Sequence, residues 1–171
     1  MSGPVAGDVG APTWDSLARA AATTLAAPED PRRELLLLGV GDDLYALPVE
    51  RVREIVRNRE VTPMPRVPAA VRGVFSLRGE VVQVIDLRRR LELRAGPDAS
   101  DRRARIVVLH GADGQLAGLR VDRVTEVMRV PESQMMAASA GHGELIEALC
   151  SRDGRFVSLL DVERLLDLDG E

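Results

Sequence analysis

Aromatic side chains are almost missing from this chain. One Trp, one Tyr and two Phe make up 2% of 171 residues, so the core must be assembled from Val, Leu, Ile and Ala. The stacking platforms on which single-stranded nucleic acids lie are lacking for the same reason. Histidine occurs only as His110 and His142, and neither sits in a zinc-ligand or nucleophile–base pattern. No glycine-rich phosphate loop is present. The single cysteine, Cys150, lies inside an apolar strand pattern and reads as a reduced core thiol. Lysine is absent: Arg supplies all 23 basic residues, against 27 acidic ones, for a formal charge of −4. That balance argues against nucleic acid as the main partner, since phosphate binding needs a positive field. No uncharged apolar run approaches the roughly 18 residues of a membrane span, and the first residues lack the pattern of a secretory signal.

What the chain does have is an internal duplication. Residues Leu35 to Val56, shifted by 72, match Val107 to Met128 at 8 of 22 positions, among them Gly39/Gly111, Arg51/Arg123 and Glu54/Glu126. The segment from Gly79, shifted by 75, matches at 5 of 13 positions, including Asp86/Asp161, Arg89/Arg164 and Leu91/Leu166. Chance agreement at ordinary composition is about one in fifteen. Two repeats of this length exclude a long solenoid and leave a pseudo-symmetric pair. A barrel of about 60 residues alone is marginal, so the two halves should form one cooperative unit.

The residue pattern is mostly that of strands. Leu35 to Val40 and Leu44 to Pro48 flank Gly41-Asp42-Asp43 as a hairpin. Val71 to Leu77 and Glu80 to Asp86 form a second hairpin around Arg78-Gly79, whose glycine permits the positive φ of a tight turn. Further strands are expected at Ile106 to His110, Gln115 to Asp122, Val124 to Val130, Leu145 to Cys150 and Arg155 to Leu160. Helical spacing predicts short helices over Val49 to Arg57, Leu87 to Leu93 and Asp161 to Leu168. Asp86 and Asp161 occupy the same slot in the two halves and read as N-caps rather than as paired catalytic carboxylates. Pro63, Pro65 and Pro68 make an extended crossover, residues 94–102 a polar connector, and Pro131 to Gly143 a loop. Ahead of the repeat, residues 1–12 read as disordered, and Thr13 opens an Ala-rich helix from Trp14 to about Ala27. The expected organisation is a flexible extension over 1–33 and a single module over 34–168.

These motifs resemble the CheW-like domain, a coupling module of bacterial chemotaxis arrays. The resemblance is carried by Val61-Thr62-Pro63-Met64-Pro65, Pro68 to Val74, Leu77-Arg78-Gly79-Glu80, Val84-Ile85-Asp86-Leu87 and the closing Asp161 to Leu166. Ser76 stands where the family usually has Asn, Gln83 where it has Pro, and Glu147-Ala148 where it often has Gly. The resemblance implies an all-β fold with short helices: two SH3-like five-stranded barrels, interleaved in sequence, with a groove between them. It also implies a non-catalytic adaptor without cofactor or metal, cytoplasmic and recruited to receptor arrays at the inner membrane face. Its partners would be a chemoreceptor's cytoplasmic helical tip and a CheA-type histidine kinase, with no nucleic acid and no membrane insertion. Carried over residue by residue, Arg78, Val71, Gly73, Val74 and Val84 are candidates for the receptor groove, and Val52, Glu54 and Ile55 for the kinase contact.

Other readings stay open at this point. Arg88-Arg89-Arg90 and Arg102-Arg103 with Arg105 would favour a nucleic-acid-binding barrel if they shared one face; a solvated face is the simpler reading. An enzyme needs clustered, perturbed ionisable groups, which the sequence does not supply. An adaptor that binds receptor but not kinase keeps the fold and changes the role. Because residues 1–30 lie outside the repeat, their removal is expected to leave the melting temperature nearly unchanged. A loss of several degrees in a thermal melt would show that the Trp14 helix supports the module.

Overall fold

The computed structural model describes residues 13–25, 29–94, 96, 102–141 and 143–169. The expectations for residues 1–12, for Ala26 to Pro28, for His142 and for Pro97, Asp98 and Ser100 of the connector fall outside them. The chain divides into a unit over Met1–Pro31 and a unit over Arg32–Glu171. The first contains helix α1 (Trp14–Leu25), opened by the Thr13 carbonyl, which accepts from the Ser16 and Leu17 amides. Trp14 is 86% exposed.

The second unit runs β1 (Arg32–Val40), β2 (Asp43–Pro48), β3 (Val52–Arg57), β4 (Val71–Leu77), β5 (Glu80–Asp86), α2 (Leu87–Arg90), β6 (Arg105–His110), β7 (Leu116–Val121), β8 (Arg123–Pro131), β9 (Met136–Ala137), β10 (Ile146–Arg152), β11 (Arg155–Leu160) and α3 (Val162–Leu166). Two sheets result, in the orders β8-β1-β2-β11-β10-β9 and β3-β6-β7-β5-β4. The repeat offsets carry β8-β1-β2-β11-β10 onto β3-β6-β7-β5-β4, and β9 alone has no counterpart strand, its place being taken by the Thr62–Val74 bridge. Each sheet combines a β1–β2 type hairpin from one repeat with the remaining strands of the other. The first hairpin and the last strands form barrel 1, and the contiguous middle segment forms barrel 2.

The equivalence reaches individual registers. The parallel pairing of Val82 with Leu116 recurs as Val157 with Leu44. The register shift between Val71 and Gly73 recurs between Ile146 and Ala148. Both signature hairpins turn through two left-handed residues, Arg78 and Gly79 (φ 51° and 84°) and Asp153 and Gly154 (φ 50° and 76°). Paired positive φ values define the turn whose twist matches antiparallel strands.

Three apolar clusters hold the unit together. Leu35, Leu37, Met128, Cys150, Val157 and Leu159 fill barrel 1, and Phe75, Leu77, Val82, Val84, Ile106 and Val108 fill barrel 2. The third and largest lies between them and draws on both sheets, with Leu36, Leu38, Leu47, Ile85, Leu109 and Leu119 among its members. Alternate residues of β1 therefore point into the barrel and into this shared core. That is why Leu35 to Leu38 form an unbroken apolar run instead of alternating with polar residues.

Several local expectations change. Val49 to Arg57 is not a helix: a 3₁₀ turn over Val49–Arg51 leads into β3, which pairs with β6. Val49, Val52 and Val56 have helical spacing, but their β-branched chains suit a strand and the β6 edge supplies partners. The Pro131 to Gly143 loop contains a 3₁₀ turn, Glu132–Gln134, and strand β9. The helices α2 and α3 are shorter than expected. Asp86 and Asp161 do cap them, accepting from the Arg89 and Arg164 amides at 3.3 and 3.2 Å. Arg89 and Arg164 are equivalent as well, each donating to a carbonyl ahead of the preceding hairpin, Ala69 and Glu144.

Arg88 and Arg90 do not belong to a solvated face. Arg88 pairs with the buried Asp122 at 2.6 Å, and Asp122 also accepts from the Gly41 amide at 2.7 Å. Arg90 donates to the carbonyls of Arg164, Leu165 and Asp167, closing the C-terminal end of α3. Both arginines tie barrel 2 to barrel 1.

Gly73 (φ 145°) is the tightest backbone position: an added Cβ would stand 2.2 Å from the Thr62 carbonyl oxygen. Around Gly79 there is open space, so only its left-handed φ resists substitution. Gly79→Val is expected to cost about 1–3 kcal/mol and Gly73→Ala more, since strain and overlap add there. Denaturant midpoints measure both; equal losses would contradict this ranking. Burial pushes the Cys150 thiol pKa above its ordinary value. The unfolded thiol then ionises first as pH rises, so this residue's contribution to stability holds below the ordinary thiol value and is lost at alkaline pH. A thiol-reactive dye at neutral pH should label Cys150 only when the protein unfolds.

Candidate functional site

The candidate residues lie on barrel 2, and the structure sorts them by depth. Val71 and Val84 are buried, and Gly73 is packed beneath Thr62. Val74 is half-buried and bridges Thr62, exchanging backbone hydrogen bonds of 2.8 and 2.9 Å. These four support a surface; as they stand, Val71 and Val84 do not offer an apolar groove wall to a helix. A cleft at the seam of the barrels, of about 470 Å³, is lined instead by Tyr45, Leu91, Leu93, Glu144 and Leu145 among others.

Arg78 is different. Its side chain is 73% exposed at the hairpin tip, and its guanidinium meets the Glu54 carboxylate of β3 at 3.3 Å. Candidates expected to serve two partners thus belong to one ion pair. A second pair lies beside it, Arg53 to Glu80 at 2.6 Å, and the hydrogen bond from Arg53 holds the Glu80 carboxyl below its ordinary pKa. Together the pairs draw the β4–β5 tip toward the edge strand β3. Ile55 (41% exposed) lies on the same strand, Val81 (68% exposed) beside the tip, and Val52 is half-buried at the strand's start.

Barrel 1 repeats this face. Glu126, the counterpart of Glu54, pairs at 3.1 Å with Arg152, the last residue of β10, one position ahead of Asp153, which occupies the slot of Arg78. The counterparts of Ile55 and Val81 are Val127 and Phe156, 53% and 69% exposed. Sequence reasoning did not single out Val81, Phe156 or Arg152. The usable signal was an apolar residue at an outward slot in both repeats. Isolated exposed apolar residues are ordinary; here they recur at equivalent slots of both repeats beside an ion pair.

At the other end of barrel 2 the interior ends in charge. Asp86, buried, is 3.0 Å from Arg72 and 3.7 Å from Arg120, which is also buried. Its capping role was legible in the sequence, and its two arginines were not. Among the described residues, no group of three or more His, Cys, Asp or Glu could hold a metal ion.

Two fused barrels sharing one core and presenting two equivalent faces are the design of a rigid protein scaffold. The comparisons with known proteins agree: the CheW-like domain matches residues 34–169, and the chain belongs to that family. Chemotaxis protein CheW of Helicobacter pylori is 34% identical over 146 residues, covering 82% of this chain and 87% of that protein. Protein FrzA of Myxococcus xanthus is 34% identical over 151 residues, covering 83% and 90%. The crystal structure of the scaffolding protein TtCheW from Thermoanaerobacter tengcongensis has the same fold, with a TM-score of 0.75 at 24% identity, covering 85% of this chain and 94% of that one. The protein is a chemotaxis coupling module with two SH3-like β subdomains.

Proposed function

We propose that this protein bridges the cytoplasmic helical tip of a chemoreceptor and a CheA-type histidine kinase, passing the signal by rigid-body geometry without catalysing a reaction. The observation that carries this reading is the duplicated face: Glu54, Ile55, Arg78 and Val81 on barrel 2, and Glu126, Val127, Arg152 and Phe156 on barrel 1. A bridge needs two binding surfaces held at a set distance. The shared apolar core supplies that rigidity.

On barrel 2, β3 with Val52, Glu54 and Ile55 serves the kinase. The turn with Arg78, backed by Val74 and the buried Val71, Gly73 and Val84, serves the receptor. Because Glu54 meets the Arg78 guanidinium, a partner carboxylate that takes the arginine shares or competes for it with Glu54, which couples the two contacts. An arginine fork suits this exchange, since it engages a carboxylate at two points. Array recruitment would bring the protein to the inner membrane face through its partners; among the described residues, no helix is long and apolar enough to cross a membrane.

Arg78→Ala should change stability by no more than about 0.5 kcal/mol, because an exposed ion pair contributes little. Binding to the partner that takes Arg78 should fall by about 2–5 kcal/mol if that contact is desolvated. Arg78→Lys should restore only part of the loss, since an ammonium lacks the planar fork. Thermal melts beside titrations with a receptor tip fragment and a kinase regulatory domain separate the outcomes. Unchanged binding to both partners removes Arg78 from the site.

A further inference from the structure

The two sheets end in β8 and β9, and in β3 and β4. A sheet edge presents unpaired amides and carbonyls, and proteins guard such edges with charge or proline. Strand β3 carries Arg53, Glu54 and Arg57, and β8 carries Arg123, Glu126 and Arg129. The edge of β4 is covered by Thr62, and Pro63 follows it. Strand β9, Met136–Ala137, has a guard of neither kind.

The repeat provides an internal control. Thr62 bridges Val74, and Met136 pairs with Leu149, the counterpart of Val74, so Thr62 and Met136 share a slot. The residues before them, Val61 and Met135, each pack against the core of their own barrel. The residue after them is Pro63 in barrel 2 and Ala137 in barrel 1. Residues 59–69 contain Arg59, Glu60, Arg66, Pro63, Pro65 and Pro68, whereas the matching residues 133–143 contain no Pro, Asp, Glu, Lys or Arg.

The backbone of β9 is set to pair further. Both its residues are exposed, Met136 at 52%. The Met136–Leu149 pair and the bond from the Ala138 amide to the Glu147 carbonyl turn those two residues toward β10. Backbone groups alternate along an antiparallel strand, so the amide and carbonyl of Ala137, between them, face the open edge. At the same position barrel 2 has a proline, which offers no amide hydrogen.

The composition of the stretch suits pairing with itself. When a strand pairs antiparallel with its own copy about a two-fold axis, the residue on the axis faces itself, so a charge there meets a like charge. Here the nearest charges, Glu132 and Glu144, lie five and seven residues from Ala137. The small side chains of Ala137 and Ala138 leave room for close approach. We infer that β9 is a dimerisation edge: Ala137 exchanges backbone hydrogen bonds with Ala137 of a second copy, Met136 lies opposite Ala138 of that copy, and the six-stranded sheet continues across the axis. A single strand pair is a small contact, so the dimer is transient and concentration-dependent. It would tie two coupling modules into one unit.

Sedimentation velocity of the full chain, over about a hundredfold concentration range reaching about 1 mM, should show the mean mass rising reversibly from monomer toward dimer. Ala137→Pro copies the guarded twin and should keep the protein monomeric throughout, with an unchanged melt. Ala137→Glu and Ala137→Arg, at an exposed position, should each be monomeric and folded. An equimolar mixture of these two should recover the dimer, because opposite charges then meet across the axis. A wild type that stays monomeric at every concentration overturns the dimer and leaves the edge to a strand of another protein. A dimer that survives both Ala137→Pro and Ala137→Glu overturns β9 as its contact, and a mixture that fails to pair overturns the register on Ala137. Strand β9 contains none of the residues proposed to meet receptor or kinase, so its failure and a failure of coupling are separately visible.

Discussion

The structure depends on the burial of β1 and β6 on both faces. Leu35 to Leu38 are all at most 5% exposed, and their counterparts Val107 to Leu109 are fully buried. Full burial of such side chains is worth about 1.5–3 kcal/mol each, so one run of four contributes on the scale of a domain's whole net stability. One barrel can cover only one face of such a strand. The other face must be covered by a second barrel, and the exchange of hairpins between repeats supplies it. The shared core is thus a consequence of topology: neither repeat closes a barrel without a hairpin from the other.

Polar contacts then fix how the two barrels meet, and here the halves diverge. On one side Asp122 binds Arg88 of α2, and Arg123 donates to the Gly41 carbonyl at 2.7 Å. On the other, Arg51 binds Glu163 of α3 and donates to the His110 carbonyl. Arg88 and Glu163 occupy equivalent slots with opposite charge, and the arginine of each inner turn is retained. The locks are equivalent in position and different in chemistry, which resists sliding toward exact symmetry. The same divergence shows at Gly73 and Ala148. Gly73 is pressed by Thr62, whereas Ala148, at the equivalent register shift, pairs with Ala137 of β9 without a positive φ.

This division of labour suits a coupling module. Apolar burial makes the body rigid, and each barrel leaves an exposed edge where an arginine at or beside a hairpin turn meets a glutamate of the edge strand, Arg78 with Glu54 and Arg152 with Glu126.

By itself the sequence determined the strand pattern, the two turns, the helix caps and the duplication. Each of these rests on local chemistry: glycine at positive φ, aspartate on free amides, and matched residues at two constant offsets. It also carried the family pattern, and with it the two-barrel fold. Only the tertiary structure decided that Val52 to Arg57 is a strand, because the choice rests on the β6 edge, distant in sequence. It alone sent Val84 and Val71 inward, joined Arg78 to Glu54, and gathered Arg72, Asp86 and Arg120 at one barrel mouth. A strand pattern tells which residues share a face; which face is covered, and by what, depends on the strands that arrive from elsewhere in the chain.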